Sequence, residues 1–217
     1  MRSSLLLLIC ALLVACVDPS HDAITPIRNS DTIQKVAELN SKPFIEYPTP
    51  EHYSICYQHT CAKFATIQLS GPQWQSIEAI FFPRAMTSQQ ERNAIQQAIA
   101  LLEYYSGEQA GTQGDLAEND LSQGIGGQLD CIDEATNSTV YLRLLANAGL
   151  LQFHQQASRT HRGGLVAPHN TATIIETSTN IRYAVDSWFY ANGEHAVIIP
   201  LPQWKKGWIP NRETIEK

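Results

Sequence analysis

The sequence predicts an α+β fold in which one helix packs on an antiparallel sheet, and three observations predict it. In residues 131–147, Cys131, Ala135, Leu142 and Leu145 fall on one narrow stripe at helical spacing. Four β-type segments then follow one another: 150–157, 169–176, 181–189 and 196–200. A capped helical pattern precedes both, over residues 88–105. A run of helices followed by a meander of strands belongs to the α+β class.

The chain has 217 residues, 43% of them hydrophobic, with a formal net charge of −6. That suits one domain with its own core and excludes a disordered chain. Mild acidity without a basic stripe gives no footprint for nucleic acid. Residues 1–15 lie outside the fold. Arg2 supplies a basic start, and residues 5–14 form an apolar run of about ten residues, the size of a signal-peptide core. Such a run is too short to span a bilayer. It ends in Leu13-Val14-Ala15-Cys16, which resembles a bacterial lipobox. The resemblance implies that Cys16 is acylated, palmitate included, and becomes the mature N-terminus. The other reading is a plain secretory signal cut near Ala15. Val17 stands where inner-membrane retention signals have Asp, which favours the outer membrane facing the periplasm, although Asp18 follows one place later. A multiply acylated cysteine anchors a protein stably.

Residues 16–45 are polar and contain Pro19, Pro26 and Pro43, so they read as a tether with one short helix at 31–39. The domain occupies 46–217. Residues 52–58 and 62–70 read as strands bracketing Cys56 and Cys61, and Gly71-Pro72 breaks the pattern. In the helix over 88–105, Thr87 and Gln90 fit a capping box, and Ile95, Ile99 and Leu102 form the buried stripe. Residues 106–129, rich in Gly, Asn, Asp and Gln, read as an extended surface loop. The helix from Cys131 ends at Gly149. Asn192-Gly193 marks a turn between the last two strands.

Cys10 leaves with the signal and Cys16 takes lipid. Cys56 and Cys61 are close in sequence on facing β segments, so in an oxidising compartment a disulfide is expected. A metal site on the pair is the weaker reading, because C-x4-C lacks a second pair of ligands nearby. Cys131 is then left over, and an unpaired thiol in an exported protein flags reactivity. Its other reading is a small buried hydrophobe.

A thiol attacks a carbonyl as thiolate, and both a helix N-terminus and an adjacent imidazole favour that form. Cys131 has the helix start, but Asp130, Asp133 and Glu134 as anions would hold the thiol pKa up. A cationic imidazole is therefore needed. His169 opens one strand, and Asp186 lies in the next. If residues 177–180 form an even-length hairpin loop, Asp186 faces Thr171 and stands diagonal to His169 on one sheet face. Cys131, His169 and Asp186 thus form a candidate catalytic triad.

A cysteine opening a helix, a histidine opening one strand and an aspartate in the adjacent strand resemble the papain-like core of the transglutaminase-like superfamily. Within it, Asp130-Cys131 and residues 141–149 resemble the bacterial transglutaminase-like cysteine proteinases. The resemblance spans residues 88–190. It implies a cysteine hydrolase (peptidase or amidase) or an acyltransferase working through a thioester, with a protein or peptide substrate in the cell envelope. Two positions depart from the pattern. Asn170 follows the histidine where an aromatic is usual. The proteinases flank their cysteine with acidic residues for calcium, whereas here Asp130 precedes and Ile132 follows, so the calcium pattern is incomplete and no other cofactor is called for. The papain-like pattern uses a glutamine upstream of the cysteine in the oxyanion hole. That makes Gln128 and Gln123 candidates, each otherwise a solvated loop residue. Trp188, Trp204 and Trp208 read as core or rim packing, with a substrate wall as the other reading. His154 and His161 read as surface histidines. The alternative function is a non-catalytic envelope lipoprotein using the same fold as a binding module.

Overall fold

The computed structural model describes residues 45–119, 126–164 and 168–211. Cys16, the expected signal, all of the expected tether but residue 45, and Gln123 lie outside them. The described residues form a mixed α and β fold with four helices and an antiparallel sheet. Strands β1 (Tyr53–Tyr57) and β2 (Lys63–Ile67) make a two-stranded ribbon. Helices α1 (Gly71–Ile80), α2 (Ser88–Ala110) and α3 (Cys131–Asn147) follow. Strands β3 (His154–Arg162), β4 (His169–Glu176), β5 (Arg182–Asp186) and β6 (Val197–Pro200) form the meander, in that spatial order. The short α4 (Leu201–Lys205) closes the described fold.

Helix α3 is the centre of the molecule. Its apolar stripe meets Ala172, Ile174, Tyr183 and Val185 of the sheet, with Tyr53 and Ile55 of β1 and Ile95, Ile99 and Leu102 of α2 in the same core. Its polar positions from Asp133 to Thr139 are buried as well, which calls for hydrogen bonding to partners in place. Asn137 does this in both directions, accepting from the Cys56 N–H and donating to the Cys56 carbonyl, each at 2.8 Å. That clamp ties the ribbon to α3. On the other face of the sheet, Ala184 packs with Leu201 and Trp204 of α4.

Helix α3 and strand β4 occupy the ranges expected. Elsewhere the structure corrects the reading. Gly71-Pro72 opens α1 instead of breaking a pattern: Ser70 caps it, Gln73 completes the capping box, and proline sits in the first turn where its missing N–H costs nothing. Helix α2 runs on to Ala110 and stops at Gly111, which takes the left-handed conformation at φ 75°. Strand β3 begins at His154, not residue 150. The segment after α2 is no simple surface loop, since Thr112, Asp115, Gln128 and Leu129 are buried.

Candidate active site

The helix start is built by carboxylates. Asp130 caps α3, its Oδ1 accepting from the N–H groups of Ile132 and Asp133 at 3.0 and 2.9 Å, and Asp133 reaches back to the Asp130 N–H. The other donors come from the turn between β1 and β2. Gln58, His59, Thr60 and Cys61 all have positive φ, from 53° to 69°, and so point successive amides inward. The Thr60 N–H donates to Asp130 at 2.8 Å, and those of His59 and Cys61 donate to Asp133 at 2.8 and 2.6 Å. The expected disulfide between Cys56 and Cys61 closes this turn. Cys61 thus lies in the turn and not on a facing strand, with Phe64 opposite Cys56.

Cys131, outside the disulfide, sits at the first turn of α3 with 1% of its surface exposed. Asn170 Nδ2 donates to its Sγ at 3.6 Å, so the thiol meets β4 at the residue after His169. The loop after β4 has the even length that the register requires: the Glu176 N–H donates to the Ile181 carbonyl, with Asn180 left-handed at φ 57°. Ala172 pairs with Val185 and Thr173 with Ala184, a register that, carried one residue further, sets Thr171 opposite Asp186. His169 and Asp186 come together as diagonal neighbours, with Nε2 to Oδ2 at 2.7 Å. Nδ1 is then the ring nitrogen not committed to Asp186. The pair lies on the Trp204 side of the sheet, whereas Asn170 meets Cys131 on the α3 side, so the structure brings His169 and Asp186 together without setting the imidazole against the thiol.

The ring of His169 is enclosed by aromatics: Trp188 at 4.5 Å, Phe189 at 5.3 Å and Trp204 at 5.5 Å between centroids. The connection from β5 to β6 carries the first two. Trp204, read from the sequence as core or rim packing with a substrate wall as the other reading, also donates its indole N–H to Asp186 Oδ2 at 2.6 Å. Arg162 lies over the Trp204 ring and donates to the carbonyls of Trp204 and Trp208.

Gln128 is not a solvated loop residue. Its amide donates to the Gly114 carbonyl at 2.9 Å, and its oxygen accepts from the Leu116 N–H and from Asn119. It laces the approach to α3. His154 is buried rather than superficial, held by Glu91 at 2.9 Å and Arg92 at 3.2 Å in a network away from Cys131.

Behind the helix start lies a set of buried carboxyls. Ser187 donates to Glu134 Oε2 at 2.5 Å, and the Gly193 N–H meets Glu103 Oε2 at 3.4 Å. Asp115 accepts from the Leu129 N–H at 2.8 Å. Burial pushes Glu103 up to about 8 and Asp115 up to about 7. Burial raises Glu134 well above the usual range, with Glu103 and Asp115 adding to it, and burial with Asp130 does the same for Asp133. Burial thus favours the neutral form of Asp133, Glu134, Glu103 and Asp115, which reduces the electrostatic penalty on a nearby thiolate below what the residue types imply.

Among the described residues, Cys56, Cys61 and Asp133 are the group whose ligand atoms converge, within 4.8 Å. Two of those atoms are disulfide sulfurs, which are not thiolate ligands. The oxygens of Asp130 and Asp133 are engaged by backbone N–H groups, which a calcium ion would have to displace. No helix among the described residues is long and apolar enough to cross a membrane. No protein-family model matches the chain, and no curated protein and no solved structure was found to match it.

Proposed function

We propose that this chain is a thiol enzyme of the transglutaminase-like, papain-related kind, which cleaves or transfers at a peptide or amide bond through Cys131, His169 and Asp186. One observation carries the reading: the 2.7 Å His169–Asp186 pair stands one residue along β4 from the side chain that touches Cys131 Sγ. With Nε2 committed to Asp186, Nδ1 takes the thiol proton, and the carboxylate stabilises the imidazolium. The thiolate attacks the carbonyl carbon, and the backbone N–H of Cys131 is the oxyanion donor that this reading assigns. Collapse breaks the C–N bond, the Nδ1 proton goes to the departing amine, and a thioester remains. Water, losing its proton to Nδ1, then releases the acid. An amine acceptor would complete transfer instead. Because the imidazole does not touch the sulfur here, this reading requires that contact to form when substrate binds. In this reading acylated Cys16 anchors the enzyme in the envelope, where its substrate is a protein or peptide.

The burial of Cys131, at 1% exposure, favours a second reading in which the fold is a non-catalytic binding module. The pH dependence of Cys131 alkylation separates the two. A wild-type midpoint well below pH 8 that moves upward in His169→Ala supports the enzyme. Superimposable profiles with an ordinary thiol midpoint would reject it in favour of the module.

A further inference from the structure

We propose that Asn170 is a catalytic residue of this site, donating its side-chain N–H to the Cys131 thiolate; the inference rests on the thiol chemistry above. Successive side chains of a strand alternate in direction, and Asn170 shares its side of β4 with Ala172 and Ile174. Those two belong to the apolar core with α3, while Asn170, 1% exposed, brings a primary amide to the same interface. An apolar residue would pack there without desolvating two polar groups. The amide is instead directed at sulfur, Nδ2 lying 3.6 Å from Sγ.

The chemistry of the acceptor decides what this contact does. A neutral thiol accepts hydrogen bonds weakly, whereas a thiolate carries a full charge. A donor fixed at this position therefore stabilises the deprotonated form more than the protonated one, and the thiol loses its proton more readily. The surroundings make the donor useful. Asp130, Asp133 and Glu134 crowd the same helix start, and any of them that ionises opposes a thiolate. An amide supplies the positive end of a dipole without adding a cation that would pair with those carboxylates. By the same alternation His169 lies on the Trp204 side of β4, so Asn170 is the β4 side chain directed at the sulfur, and in the triad reading it holds the charge left when the thiol proton goes to the imidazole.

The test follows the alkylation of Cys131 by iodoacetamide across pH in the full mature chain, read on the peptide that contains it by mass spectrometry. Asn170→Ala is expected to raise the midpoint by about one unit, which slows alkylation about tenfold below the midpoint. Asn170→Asp keeps the outline but loses the donor once ionised, and is expected to shift at least as far. In the wild type, the Asn170 side-chain amide resonances should titrate with the thiol, a readout that needs no variant to fold. Unchanged midpoints in both variants, or amide resonances that stay flat through the thiol titration, would overturn the assignment. A depressed wild-type midpoint moved by His169→Ala and not by the Asn170 variants removes this inference and leaves the triad standing. An ordinary wild-type midpoint removes the triad itself.

Discussion

Trp204 Nε1 donates to Asp186 Oδ2 at 2.6 Å, the same oxygen that accepts from His169 Nε2 at 2.7 Å. One carboxylate oxygen thus fixes an imidazole on one side and an indole on the other. The indole arrives on α4, fully buried against Ala184 of β5. The indole N–H can only donate, so Oδ2 accepts from it, and an ionised carboxylate, having no proton to offer the imidazole, requires a donor there. That requirement places the proton of a neutral His169 on Nε2 and leaves Nδ1 basic.

Asp186→Asn upsets this arrangement in a defined way. The amide keeps one acceptor oxygen for two donors and sets an N–H against the other position. If the amide donates to Nε2, the ring proton moves to Nδ1 and the base faces away from its task. Alkylation of Cys131 at neutral pH is expected to fall about tenfold, less than in His169→Ala, with the fold retained by circular dichroism. A rate equal to wild type would show that Asp186 does not orient the ring.

The turn at 58–61 makes a separate prediction. Thr60 is exposed and β-branched, yet it holds φ 53° so that its amide reaches Asp130. A non-glycine residue in the left-handed region costs about 1–2 kcal/mol. Thr60→Gly relieves that cost and keeps the amide, at the expense of a more flexible unfolded chain. The expected net gain is about 0.5–1 kcal/mol in a urea unfolding curve of the oxidised protein. A loss of stability would mean that the threonine side chain itself supports the turn.

These features differ in how far the sequence discloses them. Helix α3 was legible because its apolar stripe and its Asp130 cap are local patterns, and β4 because its flanking turn sets the register to Asp186. Helix α1 was missed although Ser70 and Gln73 spelled its capping box, since Gly-Pro reads as an interruption unless the cap is weighed first. The burial of His154 depends on Glu91, 63 residues earlier, and the Trp204 contact joins α4 to β5 across 18 residues. Pairings of that kind follow from tertiary packing, so no periodicity announces them. Asn170 stood out only as a polar residue in an unexpected place, and its contact with Cys131 required the fold.

The buried carboxyls predict an unusual dependence of stability on pH. Glu103, 3% exposed, is raised from about 4.5 in an unfolded chain to about 8, and Asp115 to about 7. Between those limits the folded state holds protons that the unfolded state has released, so stability falls as pH rises and is lost through the folded values. Glu91 and Glu176 act in the opposite sense: hydrogen bonds from His154 and Arg92 lower them, and their contribution disappears as pH falls through the acid range. The midpoint of thermal unfolding should therefore peak at mildly acidic pH and decline toward pH 9. Glu103→Gln replaces the carboxyl with an amide of the same shape, whose oxygen can still accept from Gly193 and whose N–H groups can face Glu134 and Ser187. It cannot ionise. The variant should decline less steeply than wild type, with an advantage at pH 9 on the order of 4 kcal/mol relative to pH 5. Parallel curves for the two proteins would show that Glu103 does not titrate in this range.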